Sequence, residues 1–235
     1  MKSELKKISN YDDLKNWWIN NYQKLGIEDF VIDGAINPKI YEKEEIKILI
    51  FQLETYGYNE CGITFMSNEM ENWLKDAKKT NRNTAVFVHF LFEYIKLFKQ
   101  GKTPPDFLED DFKSVYQDVD ILIEAMNKVA CINIRKTSNE NINADYESID
   151  KEKDIELLQK QIELLNPQII VTGGIPVKNA LLEFDEYKNS EFEIGSVYNI
   201  NTKIVATLNH FSRASYGDLY DKAFDIAKAL SINNL

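Results

Sequence analysis

The sequence is short of the residues from which many active sites are built. Its 235 residues hold only two cysteines, two histidines and three arginines. Cys61 and Cys131 lie far apart, in no zinc or redox spacing, and read as reduced core thiols rather than as a bridge. With His89 and His210 they form no zinc constellation, so no metal is implied. No apolar run approaches the ~20 residues of a membrane span. The opening stretch, MKSELKKISNYDDLKNWW, lacks the apolar core of a signal peptide, so a cytoplasmic protein with no membrane partner is expected. There is no G-x-S-x-G nucleophile elbow and no phosphate loop, and the turn VTGGIPV is an incomplete dinucleotide fingerprint. No cofactor is therefore implied. The formal net charge of −10 argues against gripping nucleic acid through bulk charge, while leaving room for a local basic groove.

What is present suits one folded unit. Hydrophobic residues make up 44% and aromatics 12%, enough for a substantial core. The pattern predicts a helical region over about 1–30, with Trp17, Trp18, Tyr22 and Leu25 near one stripe, and a turn at 33–38, DGAINP. Apolar runs predict four strands: 46–54, 128–134, 168–174 and 203–208. Between the first two lies a helical insert over about 68–127, whose aromatics and His89 read as packing. Helices are expected over 153–166, ending at Asn166-Pro167, then over 176–184 and 216–230. Alternating strands and helices point to one α/β domain over 1–235, a three-layer α/β/α arrangement around a central, mainly parallel four-stranded sheet.

In such a sheet, ligands bind beyond the carboxyl ends of the strands. Glu54, Thr55 and Tyr56 follow the first strand; Asn133, Arg135 and Lys136 follow the second. Thr172, Gly173 and Gly174 follow the third, and Asn209, His210, Ser212, Arg213 and Ser215 the last. A carboxylate, an amide, an imidazole, cations and hydroxyls would share one crevice, which is an inventory for catalysis. Each alone has a plainer reading. Glu54 can simply end a strand, His210 can be a structural histidine, Asn133 a cap or turn residue, and Gly173-Gly174 an ordinary strand-to-helix turn.

The ordered set resembles the uracil-DNA glycosylase superfamily. Gln52-Leu53-Glu54-Thr55-Tyr56 stands where that family has G-Q-D-P-Y, and Gly62-Ile63-Thr64-Phe65-Met66-Ser67 is similar to its G-L-A-F-S. ACIN, ending at Asn133, matches its L-L-L-N, IIVTGGIPV resembles its VFLLWGSYA, and His210-Phe211-Ser212-Arg213-Ala214-Ser215 resembles its H-P-S-P-L-S. The likeness spans roughly 46–230. Departures are Glu for Asp at 54, Thr for Pro at 55, Gln for Gly at 52 and Phe for Pro at 211.

The resemblance implies a uracil-DNA glycosylase-like fold and excision of a base from DNA, single- or double-stranded. A neutral His210 would donate to a carbonyl of the leaving base, and Glu54 would position water or steady charge on the sugar. Phe65 would stack on the flipped base, Asn133 would pair with its edge, and Tyr56 would exclude a 5-methyl group. Ser212, Ser215, Arg213 and Arg135 would hold phosphates, in a positive groove shared with Lys136. Two other readings stay open: the same pocket acting on free nucleotides or nucleosides, as a defence effector does, and a non-catalytic nucleic-acid or protein-binding module whose partner surface is the aromatic segment 68–127.

Overall fold

The computed structural model describes residues 2–27, 30–52, 70–76, 78–106, 108–136 and 151–232. Glu54, Tyr56, Phe65 and Cys61 lie outside the described residues. Among the described residues six strands form one mixed sheet: β1 (Gly34–Ala35), β2 (Ile48–Gln52), β3 (Ala130–Asn133), β4 (Ile169–Gly173), β5 (Ser196–Ile200) and β6 (Lys203–Leu208). The order across the sheet is β1-β3-β2-β4-β6-β5. The pairs β3–β2, β2–β4 and β4–β6 are parallel, while β1 and β5 are antiparallel edges.

The expected four-stranded sheet is thus corrected to six strands. The two added strands carry no apolar run, because each lies at an edge. β1 falls inside the segment read as a turn, and β5 is half-exposed along most of its length. Asn201, at φ 55, closes the short β5–β6 hairpin, whose flanking pair is Ile200 and Lys203. Positive φ at the first central residue suits the right-handed twist of such hairpins, and asparagine tolerates it.

The helices are α1 (Lys2–Leu5), α2 (Tyr11–Lys24), α3 (Pro38–Tyr41), α4 (Met70–Asp76), α5 (Lys78–Lys99), α6 (Glu109–Gln117), α7 (Val119–Asn127), α8 (Lys151–Leu165), α9 (Ile175–Leu181) and α10 (Tyr216–Ile232). They cover both faces of the sheet. On one face Ile48, Ile50, Cys131, Val171 and Ala206 meet Phe87 and Leu91 of α5, Met126 of α7 and Ala223 and Ile226 of α10. On the other, Leu49, Phe51, Ile132, Ile170 and Val205 meet Leu158 and Ile162 of α8 and Val177 and Leu181 of α9. Period-two alternation thus sends successive residues of each parallel strand into different cores, which is why these strands read as unbroken apolar runs.

The segment 68–127 is not an appendage. Its buried residues Trp73, Leu74, Phe87, Leu91, Tyr94 and Phe112 complete the first core, so these aromatics pack against the sheet. Within it α6 and α7 are separate helices, because Asp118 leaves the helical conformation and its carboxylate accepts from the amides of Asp120 and Ile121 to begin α7.

At the amino end, the helical region over 1–30 is split into α1 and α2 by a turn. Leu14, Trp18 and Tyr22, spaced by four, are the buried stripe of α2, while Leu25 is exposed. Tyr11 of α2 reaches β1, where its hydroxyl donates to the Asp33 carbonyl at 2.6 Å. Gly34, at φ 147, lies under that phenol; a Cβ there would stand 2.4 Å from the Tyr11 oxygen. Gly34→Ala should therefore lower the unfolding free energy by roughly 1–3 kcal/mol, the cost of overpacking a filled site. Urea denaturation checks this, and an unchanged midpoint would mean that α2 gives way freely.

Candidate functional site

Chain order and sheet order diverge at one place. From β2 the chain goes to β3 on one side, then returns to β4 on the other, so the carboxyl ends of β2 and β4 form the topological switch point, where sheets of this kind bind ligands. Asn133 closes β3 beside it and Gly173 closes β4. His210 follows β6. These three sequence-predicted positions therefore share one end of the sheet.

His210 sits on a β-turn closed by the Arg213 amide donating to its carbonyl at 2.8 Å. Its Nδ1 accepts from the Ser212 amide at 3.3 Å and lies 2.7 Å from the Ser212 hydroxyl. With Nδ1 accepting, the proton of the neutral ring belongs on Nε2. Burial, and then the neighbouring Arg213 cation, hold the imidazole pKa below 6.5. The ring is therefore neutral at physiological pH and has one N–H to donate.

Phe211, which takes the place of a proline in the resembled motif, turns away from the crevice. It is 2% exposed and packs on Phe87, with ring centroids 5.6 Å apart. Its ring faces Gly173, where a Cβ would stand 3.4 Å away. Its carbonyl accepts from Asn83 Nδ2 of α5 at 2.8 Å. The helical segment thus pins the histidine turn from beneath. Gly174, at φ 108, adopts a backbone conformation other residues resist, and its amide donates to the Leu208 carbonyl at 2.9 Å.

The hydroxyls and cations expected to hold phosphates are divided. Ser212 engages the imidazole. Ser215 and Asp218 form a reciprocal cap at the start of α10, with both hydrogen bonds at 3.1 Å. Arg213 is exposed and Arg135 is half-buried. Lys136 does not belong to any positive groove. Its side chain is 0% exposed and its ammonium lies 2.7 Å from Asp33 Oδ1. Burial of an ammonium demands a partner, and Asp33 supplies one.

That pair anchors a buried polar cluster that sequence reading missed. Asp33 Oδ1 also accepts from Gln161 Nε2 at 2.9 Å, and Oδ2 accepts from the Asn133 amide at 2.6 Å and from Asn133 Nδ2 at 3.1 Å. Gln161 donates to the Tyr11 hydroxyl at 2.7 Å as well, and Lys136 stands 5.0 Å over the Trp18 ring. Burial and the Asp33 charge hold the Tyr11 phenol protonated far above its usual range. The signal available in the sequence was an aspartate beside glycine in a turn, which is commonplace. Asn83 and Gln161 sit within helical patterns that gave no reason to single them out.

Four side-chain oxygens among these residues are buried without a hydrogen-bond partner: Asn83 Oδ1, Asn133 Oδ1, Gln161 Oε1 and Thr172 Oγ1. Among the described residues no cluster of three or more His, Cys, Asp or Glu is arranged to hold a metal ion, and no helix is long and apolar enough to cross a membrane. The sequence matches no protein-family model and no curated protein.

The electrostatics of His210 lead to a titration. Arg213→Gln should raise the His210 pKa without restoring it to 6.5, because burial, the larger cause, remains. Stability linked to this histidine is present above 6.5 and is lost as pH falls toward the lowered native value, since the unfolded chain then binds more protons. NMR titration of the imidazole in both proteins reads the shift; a midpoint unmoved by Arg213→Gln would remove the guanidinium from the account.

The buried pair leads to a stability cycle. Lys136→Met alone leaves Asp33 uncompensated and should destabilise by about 3–5 kcal/mol. Adding Asp33→Asn should recover a large part of that loss in thermal or urea unfolding. Additive losses would mean that the two side chains do not act as a pair.

Proposed function

We propose that the protein is a base-excision N-glycosylase that hydrolyses the glycosidic bond of a flipped uracil or modified pyrimidine in DNA, on a three-layer α/β/α fold of the uracil-DNA glycosylase type. The observation that carries this reading is the neutral imidazole of His210. Its Nδ1 is occupied by Ser212, its remaining N–H is on Nε2, and it stands at the carboxyl end of the sheet that also bears Asn133. Three strand spacings separate β3 from β6, so Asn133 and the His210 loop lie roughly 14 Å apart at the backbone. That span suits one heterocycle held between two side chains.

In the proposed reaction the C1′–N bond breaks and its electron pair leaves with the base. His210 Nε2–H donates to the base carbonyl, where negative charge collects. Glu54 orients the water whose oxygen bonds to C1′ and takes up its proton. Phe65 stacks on the base and Tyr56 closes the space beside C5. A base must leave the stack to reach such chemistry. Arg213 and Arg135 are the cations proposed to contact phosphates.

A second reading draws on one observation. Lys136 is withdrawn into the Asp33 pair, and the chain carries −10 overall, which disfavours a polymer backbone. A free nucleotide or nucleoside needs fewer of them.

Base release from single-stranded and duplex oligomers carrying one uracil or modified base, run beside free nucleotides, separates the two. Release from oligomers should fall by roughly 10²–10³ in His210→Ala. It should fall by roughly 10²–10⁴ in Glu54→Gln. Turnover of nucleotides alone would select the second reading, and binding that survives Glu54→Gln without release from any substrate would mark a non-catalytic module.

A further inference from the structure

The turn that carries His210 has one peptide group at its centre, the one joining Phe211 to Ser212. Both polar ends of that group are engaged. The Phe211 carbonyl accepts from Asn83 Nδ2 at 2.8 Å, and the Ser212 amide donates to His210 Nδ1 at 3.3 Å. A trans peptide is a rigid plane whose C=O and N–H point in opposite directions, so holding one end aims the other. Asn83 is fully buried on α5. Phe87, one helical turn further on and therefore on the same face, packs on the Phe211 ring with centroids 5.6 Å apart. One helix face thus grips both the backbone and the side chain of Phe211, while Gly173 confines the ring from the sheet.

The central peptide of a β-turn has two orientations, related by a flip of roughly 180°. In the one observed, neither Phe211 nor Ser212 has a positive φ. In the flipped one, Ser212 takes a positive φ, which serine resists without being barred from it, and the Phe211 carbonyl faces the imidazole. A carbonyl only accepts, so Nδ1 would then carry the ring proton and Nε2 would lose it. The Ser212 hydroxyl, 2.7 Å from Nδ1, does not decide between the two, because a hydroxyl both donates and accepts. The Ser212 amide does decide, because an N–H only donates. The resembled motif has a proline at position 211, whose ring fixes φ; Phe211 brings no such restraint, and the brace from α5 supplies one.

We propose that Asn83 is a positioning residue that locks the central peptide of the histidine turn and thereby keeps the His210 proton on Nε2. The donor at the carboxyl end of the sheet is set from α5 through two successive hydrogen bonds. The catalytic consequence rests on the glycosylase reading, in which Nε2–H meets the leaving base; the tautomer itself does not rest on it.

The test is ¹⁵N NMR of the imidazole nitrogens in the full chain, above the titration of His210, in wild type, Asn83→Leu, Ser212→Ala and Leu91→Ala. The chain has only two histidines, and His89, farther along the same helix, is an internal control. The wild type should show His210 with Nε2–H alone. Asn83→Leu should add a resolved fraction with Nδ1–H and leave His89 unchanged. Ser212→Ala, which keeps the amide, should retain Nε2–H. Leu91→Ala truncates the core on the same helix, so it should lower stability without moving the tautomer, which separates positioning from support of the fold. On whichever oligomer or nucleotide is cleaved, Asn83→Leu should lower kcat roughly 10–100-fold with KM within a few-fold. If Asn83→Leu does not fold, Asn83→Ser takes its place. If neither folds, exchange of the Asn83 side-chain amide protons in the wild type decides: slow exchange supports the brace and fast exchange removes it.

A single Nε2–H tautomer in Asn83→Leu would overturn the inference, even if oligomers are cleaved and the glycosylase reading stands. Loss of that tautomer in Ser212→Ala but not in Asn83→Leu would overturn it too, by assigning the ring to the hydroxyl. A tautomer shift in Asn83→Leu without base release from any substrate would support the inference while removing catalysis.

Discussion

The buried ion pair between Asp33 and Lys136 is the constraint on which one side of the molecule depends. Lys136 follows β3, Asp33 precedes β1, Gln161 reaches the same carboxylate from α8, and Tyr11 of α2 donates to the Asp33 backbone carbonyl. A charge taken out of water must be met by donors of good geometry, and a carboxylate has room for about four. Meeting that demand draws an edge strand, the end of a central strand and two helices to one point. The buried Asn133 side chain is held by the same carboxylate.

The other side of the crevice is organised by packing. Phe211 occupies the space between Gly173 and Phe87, and Asn83 holds the carbonyl of the same turn. With Phe211 turned inward, the histidine beside it points elsewhere, and Ser212 sets its tautomer. Helix α5 therefore serves two purposes. Its apolar residues fill the core against the sheet, and one buried amide fixes the turn that carries the imidazole. The bulky residue that replaces proline in the resembled motif gains its own compartment and does not crowd the site.

Much of the sheet was legible because burial on both faces leaves a strong mark. Ile48–Gln52, Ala130–Asn133, Ile169–Gly173 and Lys203–Leu208 are apolar nearly throughout, and all four were readable as strands. The edge strands β1 and β5 were not, since a strand paired on one side and half-exposed carries no continuous run. The site was legible in part. His210 and Asn133 could be placed at strand ends from spacing alone. Ser215 as a helix cap, Lys136 as a buried partner and Asn83 as a brace could not, because a serine, a lysine or an asparagine in the sequence does not disclose which neighbour it meets.

By itself the sequence determined the alternation of strand and helix, the parallel core and the end of the sheet at which polar residues gather. These follow from local periodicity and from the short range over which a run of apolar side chains declares its burial. Tertiary structure decided which of those polar residues face the crevice and which are consumed in holding it. Asp33 and Asn133 are 100 positions apart, and Asn83 and Phe211 are 128 apart. Hydrogen bonds across such separations depend on how helices dock on the sheet, and no local pattern carries that information.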